Sequence, residues 1–115
     1  MDEFPLYRNM MLLASGIDAC MEKKLITPAL ILIYSAIDTT GWLDSNEAFA
    51  TRTSFMNWVD DYLLKASSLQ CTSLDLYAAR WGLLHTFTAD SQLSFSGKAR
   101  SICYAWGTAK VDYMR

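Results

Sequence analysis

Leu6, Met10, Leu13, Ile17 and Cys20 recur at alternating steps of four and three, which lays them along one helical face, with Arg8, Asp18 and Glu22 off that line. The pattern predicts a first helix from about Phe4 to Lys23, with Lys23 and Lys24 near its end, where cations suit the dipole. Thr27-Pro28 then reads as an N-cap followed by proline at the first helical position, opening a second helix from about Pro28 to Thr40 with Gly41 as its stop. This stretch is apolar nearly all round, so it is expected to be the most buried element. Asp44 and Glu47 have the spacing of a capping box and open a third helical region ending near Lys65. Its stripe is Phe55, Met56, Val59, Tyr62 and Leu63, with Asp60 and Asp61 facing solvent.

Ser67-Ser68 marks a break, and Thr72 and Ser73 compete to cap a fourth helix from about Leu74 to Phe87. Its expected apolar stripe is Leu74, Tyr77, Trp81 and Leu84, flanked by Leu76 and Leu83. Beyond Thr88 the residues turn small and polar, and Ile102, Tyr104 and Trp106 then alternate as in a short strand. The fold class expected is therefore all-α, a bundle of four to five helices in a single domain over 1–115, with a short C-terminal β-hairpin around residues 100–114 or a helix in its place. The chain ends at Arg115 without a stop signal, which leads us to expect a further element beyond it.

Composition narrows this picture. With 52% hydrophobic residues, five Gly and two Pro, the chain has the make-up of a packed globule and not of a disordered segment. Four Trp, six Tyr, five Phe and six Met are more large side chains than one small subunit readily hides, so burial between subunits of a homodimer is expected. The acidic start lacks the basic and apolar regions of a secretory signal, and the longest apolar run, Ala29 to Ile37, is shorter than a membrane span. Cys20, Cys71 and Cys103 form no paired framework. A reduced, cytoplasmic protein with no membrane partner is the expectation.

The net charge of −2 gives no broad nucleic-acid footprint, but its distribution is uneven. Residues 1–72 carry five Lys or Arg against nine Asp or Glu, whereas 73–115 carry five against three, so an anion-binding site belongs in the C-terminal part. Ser96-Gly97-Lys98 is a mere fragment of a phosphate loop and reads as an exposed turn, since Gln92 and Ala99 stand where glycine and a hydroxyl residue are needed. Cys20, Cys71, His85 and Cys103 lack the closely spaced ligand pairs of a zinc site, and nothing local marks Cys71 as a nucleophile for His85. No metal or cofactor is expected. Asp38 follows an apolar run, where an unpaired carboxylate is costly; it either lies at a helix end reaching water or joins the centre to which Arg80 belongs.

His85 is the only histidine, and Arg80 precedes it by five residues in Arg80-Trp81-Gly82-Leu83-Leu84-His85, late in the fourth helix. This string resembles the Arg-to-His motif of the HEPN superfamily. The apolar second helix ending in Ser35-Ala36-Ile37-Asp38, and the capped entry Cys71-Thr72-Ser73-Leu74-Asp75-Leu76-Tyr77, extend the resemblance to small bacterial HEPN-like proteins over residues 5–88. The resemblance implies a helical bundle that dimerises so that two motif helices meet, and a metal-independent endoribonuclease acting on RNA. Arg80 and His85 would be its catalytic residues and Asp38 a supporting one, with an antitoxin or other protein as a further partner. Two positions depart from the family's pattern. Trp81 stands where many members have a polar residue, and Phe87 stands where toxins controlled by adenylylation carry tyrosine. The alternative reading is a non-catalytic helical interaction module, in which Arg80 forms a salt bridge and His85 is a helix-terminal cation. A step of five residues turns a helix by about 500°, leaving Arg80 and His85 about 140° apart; a two-fold dimer, or a helix loosened at Gly82, would bring both to one phosphate.

Overall fold

A computed structural model describes residues 4–86, 97–100, 102 and 104, and helices make up the regular structure of these residues. There are two units, Met1–Ser67 and Ser68–Arg115. The first holds α1 (Phe4–Glu22), α2 (Ile26–Ser45) and α3 (Arg52–Trp58), the last continuing as a π-helical turn over Val59–Leu63. The second holds α4 (Ser73–Thr86). The helical class expected from the pattern is what the described residues show. The hairpin expected around residues 100–114 falls mostly outside them, as do Phe87 and Cys103, and the described residues of that stretch, 100, 102 and 104, are not in a strand.

α1 ends through a doubly bonded turn. Leu25 N–H donates to the Cys20 carbonyl at 2.8 Å and Lys24 N–H to that of Met21 at 3.1 Å, with Lys24 itself left-handed at φ 59°. This is the Schellman arrangement, with lysine in the place glycine usually takes. The stripe Leu6, Met10, Leu13, Ile17 and Cys20 is half-buried, whereas Tyr7, Met11, Leu12 and Met21 are exposed.

α2 differs from its expected bounds at both ends. It begins two residues before Pro28, with Leu25 at the cap and no side-chain bond there, so Thr27 and Pro28 lie inside the first turn. Proline is tolerated there because its missing N–H has no partner within the helix anyway. The helix then runs through Gly41 and stops at Asn46, which is left-handed at φ 58°. Gly41 serves a different purpose: a Cβ on it would lie 2.7 Å from the backbone oxygen of Ser54 and 3.3 Å from Cβ of Trp58, so α3 approaches α2 here more closely than a side chain would allow. Ser35, Thr39 and Thr40 satisfy their hydroxyls on the carbonyls of Ile31, Ser35 and Ala36.

The expectation that α2 is the most buried element is corrected. Its buried residues are Ala29, Tyr34, Ile37 and Gly41, fewer than those of α4. Being longer than the apolar run within it, α2 is also long and apolar enough to cross a membrane by length and composition, the one such helix among the described residues.

The capping box of α3 is formed not by Asp44 and Glu47 but by Thr51 and Ser54. Ser54 N–H donates to Thr51 Oγ1 at 3.0 Å, and Thr51 N–H donates back to Ser54 Oγ at 2.9 Å. Asp44 lies in the last turn of α2, where it accepts the hydroxyl of Tyr62 at 3.2 Å. That hydrogen bond, the charge of Asp44, burial and the charge of Asp61 together raise the tyrosine's pKa. The core of this unit sets Ala29, Tyr34 and Ile37 of α2 with Phe55 of α3 and Val59; the rings of Tyr34 and Phe55 are 6.4 Å apart. Across the π-helical turn, Leu64 N–H reaches the Val59 carbonyl at 2.9 Å, five residues back. The extra residue puts the side chains around it out of phase with a continuous α-helix by up to about 100°. For that reason Tyr62, expected in the apolar stripe, is 49% exposed, while Asp60 and Asp61 face solvent as expected.

Candidate functional site

Of the two competing caps, Thr72 starts α4. Asp75 N–H donates to Thr72 Oγ1 at 3.1 Å and Thr72 N–H donates to Asp75 Oδ2 at 2.9 Å, a reciprocal box with Asp75 in the third helical position. A second anchor comes from Arg100. Its backbone N–H donates to Asp75 Oδ1 at 2.8 Å, and its guanidinium donates to Oδ2 at 3.2 and 3.3 Å and to the Gln70 carbonyl at 2.9 Å. Burial pushes the Asp75 carboxyl up, but the hydrogen bonds from Thr72 and Arg100 outweigh it and leave the pKa lowered. Cys71, half-buried beside this group, has its thiol pushed up by burial and by the charge of Asp75, against a smaller lowering by Arg100. A protonated thiol is a poor nucleophile. It also lies at the opposite end of α4 from His85, about 20 Å away at 1.5 Å per residue, so the two cannot act as a pair within one chain.

The core face of α4 is Leu76, Ala79, Gly82 and Leu83, together with Asp75 and Ala78. This corrects the expected stripe. Leu74, Tyr77 and Leu84 are half-buried and Trp81 is 40% exposed, and on a helical projection they lie opposite the core face. The buried positions are held in part by the small residues Ala78, Ala79 and Gly82, which a periodicity weighted to large side chains passes over. The face that looked like core is therefore the outward one.

Arg80 and His85 stand on that outward face, half-buried and exposed respectively. Each rests on an aromatic ring of the same helix. The Arg80 guanidinium carbon lies 5.5 Å from the ring centroid of Tyr77, three residues before it. The His85 ring lies 4.8 Å from that of Trp81, four residues before it and tilted by 44°. Projected down the axis, Tyr77 falls between Arg80 and Trp81, and His85 falls about 40° beyond Trp81. The order across the face is Arg80, Tyr77, Trp81, His85, a run of cation and ring about 140° wide. α4 is regular through Gly82, whose carbonyl accepts the Thr86 hydroxyl at 2.6 Å, so no loosening there brings Arg80 and His85 closer.

Asp38 belongs to α2 of the first unit, where it is half-buried seven residues before the helix end, so of its two alternatives the helix-end position does not hold. Among the described residues no three of His, Cys, Asp and Glu gather as metal ligands. Gly97 is left-handed at φ 79° and exposed with Lys98, in keeping with a turn. Neither Asp75 nor Arg100 is among the expected site residues, although the Thr72-x-x-Asp75 spacing is itself a capping signal. Compared with known proteins, the chain matches no family model, no curated protein and no solved structure.

Proposed function

We propose that the chain is a metal-independent endoribonuclease that cuts single-stranded RNA with Arg80 and His85 at a cleft between two copies of α4. The observation that carries this reading is that the two side chains of the motif flank the outward face of one regular helix, Arg80 half-buried and His85 exposed. Guanidinium holds a phosphate through paired donors, and imidazole changes charge near neutral pH. In the reaction, a ribose 2′-oxygen attacks the adjacent phosphorus as its proton passes to a neutral imidazole. The 5′-oxygen leaves with a proton from a protonated one, giving a cyclic phosphate and a free 5′-hydroxyl. A two-fold dimer supplies both imidazoles, His85 and His85 of the partner subunit, and brings an arginine to the phosphate despite the angle between Arg80 and His85.

The second reading, an interaction module without catalysis, draws on the same contacts: Trp81 on His85 and Tyr77 beneath Arg80 also suit a purely structural surface. Incubating the protein with end-labelled single-stranded RNA in EDTA separates the two. Cleavage that disappears in His85→Ala, falling by about 10² to 10⁴ in rate, and weakens in Arg80→Lys supports the ribonuclease. No cleavage by the wild type, or equal cleavage by wild type and His85→Ala, overturns it.

A further inference from the structure

We propose that Trp81 is a stacking platform for an unpaired nucleobase and so restricts the site to single-stranded RNA; this rests on the ribonuclease reading above. The indole is 40% exposed beside the exposed His85, against which it packs at 4.8 Å between ring centroids. Part of the ring's apolar surface thus lies in water on the outward side of the helix, where a flat partner that covered it would gain from the contact. What covers it is indicated by its neighbours. Arg80 lies about 100° to one side and His85 about 40° to the other, so the ring sits between a phosphate-binding cation and a proton-transfer group. A nucleotide presents that combination, an anionic phosphate joined to a flat base with a π face. Because Trp81 and His85 project in nearly the same direction, an approach that brings a ribose to the imidazole also brings a base to the indole.

The same arrangement excludes a duplex. In an A-form helix the base faces are occupied by their neighbours, and only edges and backbone are presented, so a ring fixed on a rigid α-helix cannot stack without unpairing the strand. An unpaired base costs less to seat. Trp81 is thus a positioning residue: it orients the nucleotide whose 2′-OH meets His85, without itself exchanging protons.

The test is binding without cleavage, using a fluorescent 2′-O-methyl oligouridine of about 12 nucleotides, whose capped 2′-oxygen cannot attack. Its partners are the same strand with one central base removed, and the duplex. Anisotropy should show that Trp81→Leu weakens single-strand binding about ten- to a hundredfold, while Trp81→Phe, which keeps a ring, stays much closer to wild type. Removing the base should cost the wild type affinity and cost Trp81→Leu almost none. The salt dependence should be unchanged in Trp81→Leu and shallower in Arg80→Ala, since stacking releases no counterions. Equal binding of wild type and Trp81→Leu, or of strand and duplex, overturns the platform. If Trp81→Leu fails to fold, the abasic strand decides on the wild type alone, and no loss of affinity there overturns it. Cleavage of ordinary RNA with no Trp81 effect removes the platform and leaves the ribonuclease. A full Trp81 effect without cleavage removes the ribonuclease and leaves the platform, and neither binding nor cleavage removes both.

Discussion

Arg100 holds Asp75 from twenty-five residues away, with its backbone N–H on one carboxylate oxygen at 2.8 Å and its guanidinium on the other. The pair is lopsided: the carboxylate side chain is 4% exposed and the arginine 69%. The buried partner gains most of its support from fixed donors, two of them backbone N–H groups of Thr72 and Arg100. One side chain thereby fixes both the first turn of α4 and the later segment around Arg100.

Asp75→Asn should destabilise the protein by about 1–3 kcal/mol at neutral pH, since an amide keeps the shape but loses an acceptor and the charge. The pH dependence is set by the lowered pKa of Asp75. A carboxyl held below its unfolded value contributes fully above that value, about 3.9 for aspartate, and loses its contribution as pH falls through the folded pKa. Urea melts of wild type and Asp75→Asn should therefore differ at pH 7 and converge as the pH falls below about 4. A constant gap across that range would show that the charge plays no part.

The two helical glycines of the first unit should respond in opposite senses. In Gly41→Ala the new methyl meets the Ser54 backbone oxygen at 2.7 Å, which cannot swing aside as a side chain would, so a loss of about 1–3 kcal/mol is expected. In Gly16→Ala it meets only Leu32 Cδ1 at 3.4 Å, an ordinary contact. The gain of about 0.5–1 kcal/mol from removing glycine from a helix interior should then show as a raised Tm. A tolerated Gly41→Ala would mean that α2 and α3 are not held at this spacing.

These glycines also mark what the sequence made legible. Helix number and approximate position come from apolar spacing: α1 lies within one residue of both its expected ends and α4 within one residue of its expected start. Local rules know only the conformational freedom of Gly41 and make it a stop, whereas its role is set by Ser54, thirteen residues on. The orientation of α4 was missed for a related reason. Periodicity weights large side chains, whereas the small Ala78, Ala79 and Gly82 are buried and the bulkier Tyr77 and Trp81 lie on the other side of the helix. The spacing of Arg80 and His85 is legible in the sequence; the rings beside them become visible only when three- and four-residue neighbours are set in space.

The proposed cleft requires two chains, so sedimentation at micromolar concentration should give the mass of a homodimer. Leu84 is half-buried on the outward face of α4, between Arg80 and Tyr77 in projection. Leu84→Glu should yield a folded monomer with an unchanged helical circular dichroism spectrum and no ribonuclease activity. A wild type that sediments as a monomer, or a variant that stays dimeric, would place the contact elsewhere or remove it.

The π-helical turn at Val59–Leu63 has a consequence for how this chain tolerates changes in length. Its bond from Leu64 back to Val59 spans one residue more than an α-helical turn, so the segment carries a residue of slack. Asp60 and Asp61 are exposed, and losing either removes nothing from the core. A one-residue deletion here would let the turn close into an ordinary α-helix, with the residues on either side keeping the direction they face. The same deletion within α2 would find no slack, and the rest of that helix would turn by about 100°, carrying Tyr34 or Ile37 out of the core. Among the helical segments of the first unit, a one-residue loss is therefore better absorbed at these two aspartates than within α2.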